Sequence, residues 1–312
     1  VTNPANNYNG FAPKGKNNIV GARQINYGDP ETQVSETNWK NIPGYTVKMG
    51  ASYLLNEFNT VFTNVGYISR TPRFRNVVEL GTYNQLLRDI QNENIASVEL
   101  GYGFSNTRVA ANVNAYYTDW RNRPVNNPPS VYLPDRGILM RSNLNDMNAI
   151  HKGIEFSVKY NVTKRINAEA FASFGDWRWN SAKTVYFYDD QGRQIKQVDG
   201  NNQPIDSLPM MISFDAKGVY VGDAPKTQIG GSFQYTFYKD AYIKLRYTYF
   251  DKHYANFDPL QLHADNPDRA GRQSWRIPAY GLTGLFAGYR LDLNGSKLDI
   301  NLAIDNLFDI RY

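Results

Sequence analysis

Apolar and polar residues alternate one by one along ten stretches of this chain. The last is the clearest: Leu298, Ile300, Leu302 and Ile304 fall on one side, Asp299, Asn301, Ala303 and Asp305 on the other. A period of two marks a β-strand with one apolar and one polar face. Near the start, Tyr45, Val47, Met49, Ala51 and Tyr53 alternate with Thr46, Lys48, Gly50 and Ser52, and the pattern resumes through Val61, Thr63, Val65 and Tyr67. The four residues between them, Asn56 to Asn59, predict an antiparallel hairpin. Four more hairpins follow, over 97–104 with 108–120, 153–161 with 166–179, 227–237 with 241–250, and 282–291 with 298–305. Each closes through a short polar turn such as Tyr238-Lys239-Asp240 or Asn294-Gly295-Ser296. Long stretches separate the hairpins, over 69–94, 121–151, 180–225 and 251–279. Pro124, Pro128, Pro129 and Pro134 exclude a central strand from the second of these. Asp189-Asp190-Gln191-Gly192 and Asp199-Gly200-Asn201-Asn202 are turn signals in the third, which is expected to form its own exposed hairpin.

Strand length and connection pattern together predict an all-β fold, a transmembrane antiparallel β-barrel with about ten strands in this chain. The predicted strands run roughly 9 to 12 residues, the tilted span of a hydrocarbon core; strands of soluble proteins average about 5 to 6. Tight and long connections alternate throughout, as in outer-membrane barrels, whereas a Greek-key sandwich mixes them. The polar faces carry Lys48, Glu99, Lys159, Lys244 and Arg246 in mid-strand, and nothing supplies a second sheet to cover the apolar faces. Residues 1–43, rich in Asn, Gly and Pro, read as an extracellular loop or preceding segment; residues 44–312 read as barrel strands. Aromatics cluster where strands meet the long loops (Tyr67, Tyr117, Trp120, Trp177, Trp179, Tyr249, Phe250) and again near the short turns (Phe58, Phe104, Tyr160, Phe237, Tyr238). Two interfacial girdles are the expectation.

Composition refines this picture only a little. Mean hydropathy is −0.56, and no run reaches the roughly 20 apolar residues of a membrane helix. That leaves strands untouched, because alternation conceals lipid-facing residues. Aromatics make up 14% of the 312 residues, with 23 Tyr, which suits the girdles. With no cysteine, the ladder and packing must hold the fold. A formal charge of +5, scattered along the chain, gives no nucleic-acid signal. The chain opens on Val1 without a signal peptide, which reads as a mature, processed or partial sequence.

Candidate chemistry is sparse, and no cofactor or metal site is expected. His253 and His263 share a stretch with Asp251, Asp258, Asp265 and Asp268, but the spacing fits no compact ligand motif. No nucleophile–base order or carboxylate pair stands out, so an enzyme is not the expectation. Arg70, Arg73 and Arg75, leaving a strand for a long loop, are candidates for an anionic ligand or lipid phosphate. Trp177, Trp179, Tyr186 and Tyr188 are candidates for stacking on one.

Several motifs resemble one known family. The chain reads Glu93 to Tyr102 as ENIASVELGY, His151 to Phe156 as HKGIEF, Asp223 to Thr227 as DAPKT, Ile277 to Tyr280 as IPAY with Gly288-Tyr289-Arg290 beyond it, and Asn306 to Tyr312 as NLFDIRY. In this order, each at the end of an independently derived strand, they are similar to motifs of TonB-dependent outer-membrane receptors. Asn306, Leu307, Phe308, Asp309 and Tyr312 match the family's C-terminal signature. The resemblance covers roughly residues 45–312. It implies part of a 22-stranded barrel from the outer membrane of a Gram-negative bacterium, with long loops extracellular and short turns periplasmic. It implies active import of a scarce large nutrient (iron chelate, cobalamin, glycan or peptide), energised by the TonB complex acting on a plug that this chain lacks. Outer-membrane lipid is the expected surround, and a surface lipoprotein a candidate partner. The competing expectation is a self-closed, plugless barrel serving as a passive pore, adhesin or anchor.

Overall fold

The computed structural model describes residues 18–20, 23–25, 39–73, 77, 90–125, 130–133, 138–141, 144, 146–188, 194–199, 201, 203–262 and 273–312. Ten long strands form one antiparallel sheet. They are β1 (Tyr45–Leu54), β2 (Asn59–Arg70), β3 (Glu93–Ser105), β4 (Val109–Arg123), β5 (Met147–Asn161), β6 (Ile166–Trp179), β7 (Pro225–Tyr238), β8 (Ala241–Tyr254), β9 (Tyr280–Leu293) and β10 (Ser296–Ile304). Each strand lies beside its neighbour in sequence, so the sheet is a pure meander. Arg276–Ile277 adds a short strand at the end of β8. The five short turns all fall at one end of the sheet and the four long connections at the other. The last turn is the two-residue Asn294-Gly295, with φ of 22° and 96°, the positive-φ pair that tight hairpins need.

Register carries each face across the whole sheet. Val61 pairs with Tyr102, and the row continues through Val113, Phe156, Ala172, Ile229 and Tyr249. The row beside it, on the opposite face, reads Phe62, Gly101, Asn114, Glu155, Ser173, Gln228 and Phe250. One face is therefore apolar from β1 to β10, and nothing among the described residues packs on it: Met49 is 70% and Leu100 64% exposed. A bare apolar face of this breadth is stable only against an apolar solvent. The other face carries a hydrogen-bonded polar network. Asn64 and Asn114 donate to the Glu99 carboxylate at 3.1 and 2.9 Å. Lys159 and Lys244 flank Glu169 at 3.6 and 3.5 Å, and Arg246 reaches Asp305 at 2.8 Å. The sheet does not close on itself; β1 and β10 each keep one edge without a strand partner among the described residues.

The third long connection differs from expectation. It does form hairpin pairs, Ala182–Tyr186 with Met211–Asp215 and Lys196–Val198 with Pro204–Pro209. They are not simply exposed. Val185, Phe187, Ile195, Ile212, Phe214, Val219 and Val221 join Met147, Ala149 and Trp179 of the strand ends, with Phe257 and Leu262, in one buried apolar cluster. The alternating apolar residues of the loop need a partner, and the strand tips that outrun the membrane span provide it. Asp199 makes the expected turn, its carboxylate accepting the Asn201 and Gln203 amides at 2.9 and 2.8 Å.

The girdle also needs correction at the long-loop end. Tyr67, Tyr117 and Tyr249 share the apolar face, but Trp120, Trp177, Trp179 and Phe250 fall on the polar face. Alternation decides this: each of the four is an odd number of residues from an apolar-face neighbour on its own strand.

Candidate functional site

The polar face ends, beside the long loops, in a ladder of stacked rings and cations. Its first rung is Glu93, the opening residue of β3, only 1% exposed. Arg70, opposite it at the end of β2, donates to its carboxylate at 2.6 Å, and Trp120 Nε1 donates to the same oxygen at 3.1 Å. The Arg70 guanidinium also lies 5.7 Å from the Trp120 ring. A bulge at Asn122 (φ 56°) shifts the β4–β5 register. It turns Arg123 back between two indoles, 4.6 Å from Trp120 and 5.0 Å from Trp179. Such contacts are worth about 2 kcal/mol when desolvated.

From Trp120 the ladder continues around the rim. His151 of β5 sits 5.9 Å from Trp120 and 5.6 Å from Trp177. Trp177 Nε1 donates to the Tyr116 hydroxyl at 2.8 Å. Lys226, at the start of β7, places its ammonium 5.1 Å from Trp177 and 6.0 Å from Tyr254 of β8. Tyr254 stacks on Tyr220 at 4.4 Å, and Arg178 lies 4.2 Å over Tyr220. Seven strands, β2 to β8, are thus tied side by side at one end. Among the described residues, three cations (Arg70, Arg123, Lys226) face two carboxylates (Glu93, Asp223) in the ladder's inner part, so this mouth carries net positive charge and favours anionic and aromatic groups. Arg123 Nη1, His151 Nδ1 and Trp179 Nε1 are buried without a hydrogen-bond partner among the described residues.

The candidate residues sort clearly. Arg70, Trp177 and Trp179 are in the ladder, Arg70 held by Glu93 and Trp179 buried at 3% exposure. Tyr186 stands on the loop pair, 39% exposed and away from the ladder; Tyr188 bridges to Gln194 in the same loop. Arg73 follows β2 outside the ladder. Arg75, Asp189, Asp190, His263, Asp265 and Asp268 lie outside the described residues. Among those residues no group of three or more metal-ligating side chains converges. Glu93, Trp120, Arg123, His151, Lys226 and Tyr254 were not singled out from sequence as contacts. Their signal was present: extending the alternation past the apolar band puts Glu93, Trp120, His151 and Trp177 on the polar face.

A family model for the TonB-dependent receptor-like β-barrel matches residues 6–307. The chain belongs to this family. Solved structures show the same fold at low identity. The FrpB iron transporter of Neisseria meningitidis aligns at TM-score 0.50 and 19% identity over 84% of this chain and 34% of its own. The ferric-catecholate import receptor Fiu of E. coli K12 aligns at 0.51 and 19%, over 85% and 31%. The ferric enterobactin receptor PfeA of Pseudomonas aeruginosa aligns at 0.53 and 15%, over 85% and 35%. The chain therefore spans about a third of the length of these receptors. Comparison with curated protein sequences returns no match. Membership places this barrel wall in the outer membrane, with its apolar face to lipid and its polar face to the lumen.

The receptor signature has a local structural meaning here. Asn306 and Asp309 take positive φ of 53° and 50°. The Asn306 side chain closes the turn from both sides, accepting the Ile310 amide and donating to the Ile310 carbonyl, each at 3.0 Å. Leu307 N–H donates to Thr283 O at 2.8 Å. Tyr312 then stacks on Tyr280 at 4.1 Å and 4°, and Tyr280 on Phe250 at 5.1 Å. The signature folds back over β9 and continues the rim's aromatic packing to the last strand.

Proposed function

We propose that this chain is part of the barrel wall of a TonB-dependent active transporter that imports a scarce, large nutrient across the outer membrane. The observation that carries the reading is the two-faced meander of a receptor-family barrel, lipid-facing on one side and ending on the other in a cation-rich aromatic mouth. Under this reading the long loops are extracellular and the short turns periplasmic. A plug elsewhere in the protein fills the lumen and receives the pull of the TonB complex. An open sheet with two unpaired edges cannot persist in lipid, where each unsatisfied backbone group costs several kcal/mol, so further strands complete the wall. Arg70 and Trp177 line the cargo's entry, braced by the buried Trp179, and Arg73, Tyr186 and Tyr188 stand in the loops around it. A chelated metal ion is the cargo to test first, because the three similar receptors are described as transporting iron or ferric chelates and the mouth carries excess positive charge.

The test uses cells that make the intact receptor in place of their own ferric receptors. They are supplied with radiolabelled iron as a catecholate chelate, with and without a protonophore. Accumulation at least about tenfold above receptor-free cells, abolished by the protonophore, is the expected result. Accumulation unaffected by the protonophore supports a passive pore and contradicts the proposal. Energised accumulation of cobalamin, a labelled oligosaccharide or a peptide in place of the chelate keeps the transporter and replaces the cargo.

A further inference from the structure

Lys226 is as deeply buried as Glu93 on the rim, each 1% exposed. Among the described residues no carboxylate is in direct ion-pair contact with it, although the nearby Asp223 charge acts on it. Its ammonium donates to two backbone carbonyls of the returning third loop, Val221 O and, at 2.7 Å, Ala224 O. The remaining surroundings are the faces of Trp177 and Tyr254. Burying a cation is expensive, and an apolar residue of similar volume often gives equal or greater stability. What the lysine adds is direction. Its donors accept only a loop backbone that turns at this one place.

The turn it grips is also fixed from outside. Asp223 takes a positive φ of 71°, its N–H donates to Tyr254 O at 3.0 Å, and Val221 N–H donates to Trp177 O at 2.9 Å. Gly222 lies so close to the neighbouring loop that a Cβ there would stand 2.6 Å from the Asn256 backbone nitrogen. Asn256 Nδ2 donates to Asp223 Oδ2 at 2.6 Å. Two long loops and three strand ends therefore meet around one ammonium group.

We infer that Lys226 is the pin that fixes the Val221–Ala224 turn, and with it the paired strands Ala182–Tyr186 and Met211–Asp215 of the third long connection, to the barrel wall, holding this loop platform in one orientation at the rim. It is a positioning residue, and it acts through Trp177 and the Val221–Ala224 turn. This inference stands independently of cargo and energy source.

The experiment is limited trypsin digestion of the intact receptor in outer-membrane fragments, reading cleavage at Lys196 and Lys217 within the loop. Heat-modifiable gel migration reports in parallel whether the barrel is closed. Lys226→Met, which keeps volume but loses the donors, is expected to raise the initial cleavage rate about tenfold while migration stays native. Lys226→Arg, which restores donors and a cation over the rings, is expected to return the rate to within about threefold of wild type. Native migration with wild-type cleavage for Lys226→Met overturns the inference. Should Lys226→Met fail to fold, Trp177→Leu decides the question: it removes the ring under the ammonium and is expected to loosen the loop about threefold, and unchanged cleavage contradicts the pin.

Discussion

At the scale of single residues, Glu93 bears the most. It is the one carboxylate that Arg70 and Trp120 share, and it is nearly inaccessible to water. Removing it strands two donors and leaves Arg70 uncompensated. Glu93→Ala is expected to cost about 2–3 kcal/mol, read as a lower urea midpoint of the heat-modifiable barrel; an unchanged midpoint would show that the rung is dispensable. Asn306→Ala removes both bonds that close the signature turn and is expected to cost about 1–2 kcal/mol by the same measure. Sequence reasoning reached Arg70 as a ligand candidate and Glu93 only as the first residue of a motif, not as Arg70's partner, because the two lie 23 positions apart and only the register of β2 on β3 makes them opposite. Lys226 lay inside a motif already noticed, DAPKT, yet nothing in a linear reading shows that its side chain turns beneath the loop.

Elements were read more easily than residues. All ten long strands, their pairing order and the five short turns follow from alternation, because a sheet between lipid and lumen must alternate along its membrane span. Their outer ends did not follow. β4 runs on through a bulge to Arg123 and β5 begins at Met147, beyond the lipid band, where the pattern no longer alternates and loop packing takes over. The two faces make opposite predictions for the same substitution. Leu100→Arg, on the lipid face near mid-strand, is expected to cost about 2–4 kcal/mol. Ser157→Arg, on the lumen face of β5, should cost under about 1 kcal/mol. Paired refolding titrations into lipid vesicles compare them directly, and equal costs would mean that the faces are assigned wrongly.

For the whole molecule, the open meander, its continuous apolar face and its rim ladder are parts of a wall that crosses the outer membrane once per strand. Sequence alone reached that architecture, since motif order and strand order agree. It could not show that the long-loop end is a braced platform: the ladder's contacts join residues from β2 to β8, and side chains so far apart in the chain carry no joint sequence signal. These 312 residues contribute no cysteine, so the topology is directly measurable once any cysteine elsewhere in the protein is replaced. Single substitutions Lys217→Cys, in the third long loop, and Lys164→Cys, in the short turn between β5 and β6, are placed in the intact receptor and exposed on living cells to a membrane-impermeant maleimide. A wall spanning the outer membrane in the proposed sense predicts labelling of the Lys217→Cys variant on intact cells, and of the Lys164→Cys variant only after the outer membrane is permeabilised. Equal labelling of both on intact cells would contradict it.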